Sequence, residues 1–303
     1  MDSREPRTKN QEPANQAAAL GRNERVFEHP LDEAPNNRAA WNAIADAYQT
    51  RERGDWSVIG WGVWCPDENE LRVLGDVSGK RALVVGCGGG EDIVALHAMG
   101  AVGLAGIDLS DGELRHAEKH LAERGVTARL VQGTAEDLSA FGDASFDVAI
   151  SVHALLYVEH IDRCFGEVFR VLAPGGRFAF SVQHPFDTMT SEELPVMVQR
   201  SYFEGQEDWE WEFPDHGVSA NFRSWSRPVS EWFTALQNAG FTVERILEPP
   251  PPPFRDPDTY FEQRYSYEKV RMVPQTLIYA ARKAVSENQE PRTKNREGGD
   301  GAA

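Results

Sequence analysis

The chain has 303 residues, 41% of them hydrophobic, with 48 acidic against 31 basic side chains and a formal net charge of −17. That length buries a full core in one domain of about 250 residues with tails. A surface this acidic, without a basic stripe, argues against nucleic acid as a partner and weakens attraction to anionic membranes.

No run of eighteen apolar residues occurs and the N-terminus is polar, so neither a membrane span nor export is expected. Three cysteines without pairing or CxxC spacing suit a reducing cytoplasm and suggest no metal site.

In chain order, residues 1–24 are rich in Asn, Gln, Glu, Pro and Arg and read as a disordered tail, as do residues 286–303. The stretch Glu5–Asn10 recurs as Glu290–Asn295, too few copies for a repeat architecture. Residues 25–80 read as a helical and aromatic cap. Within it, Trp41, Ile44, Ala45 and Tyr48 share one face of a helix predicted from Asn36 to Arg53. All eight tryptophans lie outside residues 81–184, four before and four after. Rings so placed suit a pocket for an apolar or aromatic small molecule; a second core or a subunit interface, and hence a homo-oligomer, would use the same residues.

The apolar run Ala82–Val85 breaks into Gly86, Cys87, Gly88, Gly89 and Gly90, then Glu91 and Asp92. Strand, glycine turn and helix in this order hold a nucleotide-like ligand. A dinucleotide fingerprint would place its third glycine at position 91, but Glu91 stands there and, with Asp92, repels a pyrophosphate at the helix start. A ligand carrying an ammonium and a sulfonium, such as S-adenosylmethionine, suits those acids, which also stabilise the helix start by themselves. The second strand ends at Asp108, where an acid accepts hydrogen bonds from both ribose hydroxyls.

A helix from Glu113 with Leu114, Ala117 and Leu121 inward follows, then strands at 128–131 and 147–150. A helix over 161–172 carries Cys164 on its apolar stripe, and a fifth strand runs from Arg177 to Val182. Such alternation predicts a parallel, doubly wound sheet with ligands at its C-terminal edge. That edge brings forward His153, Tyr157, Glu159, His160 and His184. A histidine there suits proton abstraction from a hydroxyl acceptor, or an orienting hydrogen bond. Residues 185–227 interrupt the alternation and read as a substrate lid. Its acidic patch, Glu204 to Glu212, either attracts a basic amine or is simply solvated. Residues 228–285 resume with a helix facing inward through Ser230, Phe233, Leu236 and Ala239, a strand at 241–247, an extended Pro249–Pro253 connector and a closing strand at 275–281.

Five segments in this order, 84–90, 106–110, 133–138, 146–150 and 172–178, resemble the motif series of class I S-adenosylmethionine (SAM)-dependent methyltransferases. The resemblance covers roughly residues 36–184 and, more weakly, 228–284. It implies an α/β fold, a doubly wound Rossmann-like seven-stranded sheet, mostly parallel with the last strand antiparallel, carrying an aromatic-rich cap insertion.

By the same resemblance residues 81–184 form the SAM-binding core. Gly86, Gly88 and Gly90 line the methionyl part, Asp108 holds the ribose beside Leu109, and Ala135 and Glu136 flank the adenine. Ser151 and His153 sit at the sulfonium end, and Tyr48 faces it from the leading helix. Thr134 departs from the Asp common at its place, which moves the adenine contact to Glu136. His153, His184 and Tyr157 are the catalytic candidates. The implied activity is SAM-dependent methyl transfer to an apolar or aromatic small molecule, a secondary metabolite, in the cytoplasm. A non-catalytic SAM- or nucleotide-binding protein and an NAD-dependent oxidoreductase remain the alternatives at this point.

Overall fold

The structure, a computed structural model, describes residues 36–285 except 52, 53, 192, 193 and 195. The two expected tails, with the duplicated hexapeptide, lie outside the described residues.

The chain opens with α1 (Asn37–Gln49) and a one-turn α2 (Glu68–Leu71), then alternates through β1 (Arg81–Val85), α3 (Glu91–Ala98), β2 (Val102–Asp108), α4 (Asp111–Glu123) and β3 (Arg129–Gln132). It continues with β4 (Phe146–Val152), α5 (Ile161–Val171), β5 (Leu172–Gln183) and α6 (Pro185–Met189). After a hairpin of β6 (Gln206–Phe213) and β7 (Val218–Trp225) come α7 (Val229–Asn238), β8 (Phe241–Leu247), α8 (Tyr260–Arg264), α9 (Tyr267–Val270) and β9 (Thr276–Lys283).

Seven strands form one sheet in the order β3-β2-β1-β4-β5-β9-β8. β9 runs antiparallel to both neighbours, β5 and β8, while the other pairings are parallel. The strand order reverses between β1 and β4, and a crevice opens at such a switch point, past the C-terminal strand ends.

β1 shows why the sheet is buried on both faces. Leu83 and Val85 enter the core shared with α5 and α7, and Ala82 and Val84 enter the opposite core with Ile59, Trp61 and Ile93. Alternate side chains of one strand thus supply both layers.

Two local expectations are corrected. β5 begins at Leu172 rather than Arg177, because Pro174-Gly175-Gly176 is absorbed as a register shift against β4 instead of ending the segment. α7 buries Trp232, Ala235 and Leu236; of the expected stripe Leu236 is fully buried, Phe233 and Ala239 pack partly buried against the same core, and Ser230 is exposed. Trp232, packed 5.5 Å from Phe180 and 6.2 Å from Phe165, carries the larger apolar area and turns the helix so that Ser230 faces outward.

β6 and β7 form a separate two-stranded sheet. α1 lies against it through Ala40, Ile44, Ala47, Trp211, Phe213 and Phe222. Asn37 extends the contact in the manner of a strand, accepting from the Arg223 amide at 2.9 Å and donating to its carbonyl at 2.8 Å. On its other side α1 is held to α4: Asn42 Oδ1 accepts from Ser110 Oγ at 2.7 Å and from the Gly112 amide at 3.1 Å. Among the described residues no helix is long and apolar enough to cross a membrane, and no group of three or more His, Cys, Asp and Glu is placed to hold a metal ion.

Candidate active site

A cleft of about 1640 Å³ opens at the switch point between β1 and β4. Its floor is the glycine turn. Gly86 adopts φ +73°, and a Cβ there would stand 2.3 Å from Cβ of Ala154, so only glycine lets β1 turn this close to the segment after β4. Cys87, Gly88 and Gly89 line the cleft beside Gly86, and Glu91 and Asp92 of α3 follow. Burial pushes the Asp92 carboxyl up to about 7.

Asp108 ends β2 one hydrogen bond from this wall. Its Oδ2 accepts the Gly88 amide at 2.8 Å and its Oδ1 accepts the Ser110 amide at 2.9 Å. With the Leu109 amide as a third donor, the carboxylate keeps acceptor capacity for a further hydrogen bond. Burial raises the carboxyl above its ordinary value, opposed by the backbone amides of Ser110, Gly88 and Leu109.

His153 lines the cleft just past β4 at φ +50°, a left-handed conformation uncommon outside glycine. Strain of this kind collects at functional sites. Its Nε2 lies 3.1 Å from the carbonyl oxygen of Trp61. A carbonyl only accepts, so Nε2 carries the proton and Nδ1 keeps its lone pair. Burial lowers the imidazole to about 4, so the ring is neutral near pH 7; the Trp61 carbonyl and, more weakly, Asp187 oppose that shift.

Over the floor stands an aromatic wall. Trp41 meets Tyr157 edge-on at 5.4 Å and Phe222 at 5.1 Å, and Trp209 stacks on Phe222 at 5.1 Å. Trp41, Trp56, Tyr157, Trp209, Trp211 and Trp225 line the cleft. Trp61, fully buried, serves the core instead, and so does Trp232, which borders the cleft while packed among the phenylalanines of β5. The tryptophans therefore divide between the two roles that composition leaves open.

The Methyltransferase domain family model matches residues 83–180. A ubiquinone biosynthesis O-methyltransferase of Pseudomonas fluorescens is 33% identical over 204 residues, covering 61% of this chain and 80% of that protein. The crystal structure of an S-adenosylmethionine dependent methyltransferase from Mesorhizobium loti superposes with a TM-score of 0.54 at 28% identity, covering 71% of this chain and 96% of that one. The chain belongs to the class I SAM-dependent methyltransferases. A 24-methylenesterol C-methyltransferase 2 of Oryza sativa is 37% identical over 113 residues, of which this methyltransferase spans 31% of the length.

The residues present fit SAM as the cofactor. The turn has no side chain at Gly86, Gly88 or Gly89, Asp108 retains acceptor capacity, and two acids stand where a pyrophosphate would need donors. Gly86, Gly88, Gly89 and Asp108 would hold it.

The other predicted positions of the methyltransferase separate. Gly90 packs against Ala117 of α4, 3.3 Å from a virtual Cβ, rather than on the cleft wall, and Gly89 takes the lining position beneath the Gln49 amide. Tyr48 does line the cleft, but one face of its ring already carries a cation: the Arg51 guanidinium lies 3.0 Å from the ring centroid. Ser151 is fully buried and donates to the Val85 carbonyl at 2.7 Å, joining β4 to β1.

Asp108, Leu109, Ala135 and Glu136 are not among the cleft-lining residues; of these only Asp108 is joined to the lining, through the Gly88 amide. Glu136 accepts the His160 amide at 3.1 Å, steadying the start of α5. His184 is fully buried with both nitrogens engaged: Nδ1 accepts the Phe186 amide at 3.0 Å and Nε2 faces Glu248 at 2.8 Å. It caps α6 rather than opening on the cleft. Burial lowers it, and Glu248 and Asp187 oppose that shift.

Two acids of the 204–212 patch are paired within the hairpin. Asp208 holds Arg223 bidentately at 2.6 Å, and Glu210 accepts from Ser219 Oγ at 2.6 Å. They hold the hairpin together, and Glu207 and Glu210 also reach the cleft. The Trp61 carbonyl was beyond sequence reasoning, since a backbone atom leaves no residue signal.

Proposed function

We propose that this methyltransferase acts on an apolar, ring-bearing small molecule of secondary-metabolite type in the cytoplasm, with His153 and Tyr157 at the reacting end. The observation that carries the reading is the shared cleft: glycine turn, His153 and aromatic wall line one space. At about 1640 Å³ it exceeds a common ligand pocket, roughly 300–1,000 Å³, and so has room for a cofactor beside an acceptor.

SAM, when bound, supplies an electrophilic methyl group to a nucleophile held in line with it. Trp41, Tyr157, Trp209, Trp211 and Trp225 would hold the acceptor by apolar contact and stacking, which is where most of the rate in such a reaction is gained. The neutral His153 would accept a hydrogen bond from a hydroxyl acceptor through Nδ1 and take its proton as the new bond forms. With its conjugate acid near 4, His153 is a weak base, more effective in orienting the hydroxyl than in removing the proton beforehand. The relatives' names, ubiquinone biosynthesis and a methylenesterol, support an apolar acceptor.

Calorimetric titration with SAM, S-adenosylhomocysteine and NAD is the first test, followed by a labelled-methyl screen against phenols, prenylated quinols and sterols. Micromolar binding of both adenosyl ligands but not NAD, with label entering a ring-bearing acceptor, is the expected result. Binding of the adenosyl ligands with label entering only short polar acceptors would overturn the substrate reading.

A further inference from the structure

Outside the cleft, the buried carboxylate of Glu68 is tied to the reacting end through Trp61. Glu68 opens α2 and is 5% exposed. Its Oε2 accepts the indole N–H of Trp61 at 2.9 Å and the Val73 amide at 3.0 Å, and its Oε1 accepts the Leu74 amide at 2.7 Å. Its own amide donates to the Ile59 carbonyl at 3.0 Å. Three donors converging on one carboxylate fix the loop that carries Trp61.

The loop's next contact is His153. The Trp61 carbonyl receives Nε2–H, and Gly62 presses so close that a Cβ there would lie 2.2 Å from Thr276 Oγ1 and 2.9 Å from His153 Nε2. Nδ1 has no hydrogen-bond partner among the described residues. Which nitrogen of a histidine carries the proton is set by the bond the other makes.

We propose that Glu68 is a positioning residue for His153: by holding Trp61, it keeps the proton on Nε2 and presents Nδ1 to the acceptor. The acceptor is then one with a proton to give, an alcohol or phenol. In the transfer the oxygen–methyl bond forms as the methyl–sulfur bond breaks, and the hydroxyl proton passes to Nδ1. This rests on the assignment of His153 to the reacting end.

The groups that face His153 are the Trp61 carbonyl and, from α6, the Asp187 carboxylate, itself paired with Lys269 of α9 at 2.9 Å. Neither is altered by Glu68→Gln. That change swaps one carboxylate oxygen for an N–H₂ facing N–H donors, so the loop loses its anchor while its volume is kept.

The test is nitrogen-15 NMR of histidine-labelled protein saturated with S-adenosylhomocysteine, with the His153 signal assigned by its loss in His153→Gln. In the parent protein the ring should be neutral with Nε2 protonated from about pH 5 to 8. In Glu68→Gln the two tautomers should mix and the titration midpoint should rise from about 4 to above about 5 as water reaches the ring. S-adenosylhomocysteine affinity should stay within about twofold, since Glu68 does not line the cleft.

A folded Glu68→Gln protein with the parent's tautomer and midpoint overturns the proposal. So does a variant whose only change is lost cofactor affinity. If Glu68→Gln does not fold, Trp61→Phe, which deletes the indole N–H and leaves both amide bonds to Glu68, is read in the same way. A His153→Gln enzyme that still transfers label at the parent's rate would remove His153 from the reacting end and leave the NMR result standing.

Discussion

The carboxylate of Asp108 accepts the amide of Gly88 at 2.8 Å, tying the tip of β2 to the turn that follows β1. One side chain thus shapes the cradle and, on the proposed cofactor site, would offer its remaining acceptor capacity to a ribose. Asp108→Ala should weaken S-adenosylhomocysteine binding more than about tenfold and lower stability by about 1–3 kcal/mol, both from the loss of these bonds. Calorimetry and urea unfolding measure the two effects separately; unchanged affinity in a folded variant would remove Asp108 from the cofactor site.

Gly86→Ala should be far more damaging than Gly125→Ala. Both glycines have positive φ, +73° and +66°, so each alanine meets similar backbone strain, about 1 kcal/mol or more. Only at Gly86 does the new methyl also overlap a neighbour, Ala154 at 2.3 Å, whereas Gly125 has open space. Thermal melts of the two variants should differ clearly, and equal losses would mean that the Ala154 segment gives way freely.

Asp92 and His153 make opposite contributions to the pH dependence of stability. Asp92 holds its proton up to about 7 when folded but releases it near 3.9 when unfolded. Its contribution is therefore fully present below about pH 4 and is lost as pH rises to about 7. His153, lowered to about 4 from an unfolded value near 6.5, contributes stability above about pH 6.5 that is lost as pH falls to about 4. Asp92→Asn removes the first effect alone, so its stability relative to the parent should increase from pH 5 to pH 8. Urea unfolding at those two values decides, and a constant difference would show that the Asp92 carboxyl is not raised in the folded protein.

Lys269 and Asp187 form an ion pair at 2.9 Å with both side chains 1% exposed. Lys269→Met should cost about 3–5 kcal/mol by leaving a buried carboxylate without its cation, and adding Asp187→Leu should restore part of that loss. Denaturant unfolding of the single and double variants provides the comparison. A double variant less stable than Lys269→Met alone would show that the Asp187 contacts to Gln183 outweigh the pair.

Local patterns sufficed for much of this architecture. The apolar run before Gly86, the acid ending β2 and the inward stripe of α4 are encoded within a few residues of where they act, and all appear as expected. His153 and His184 look alike in sequence, each just past a strand. What separates them is remote: Glu248, 64 residues from His184, and Trp61, 92 residues from His153, each claim a ring nitrogen. Arg51 over Tyr48 was closer to legible, being one helical turn away. Gly90 follows the same lesson, since three glycines in a row do not say which face meets the ligand and which meets Ala117.

The hairpin of β6 and β7 shares no backbone ladder with the seven-stranded sheet and is held against α1 by side chains. Substitutions along its cleft-facing rows, among them Trp209 and Trp211, leave the hydrogen bonding of the large sheet and the glycine turn untouched. With the acceptor held as proposed, such a division would let a lineage exchange one wall of the cleft by point mutation while keeping its floor, so that new acceptor preferences would arise without a refolded intermediate ancestor.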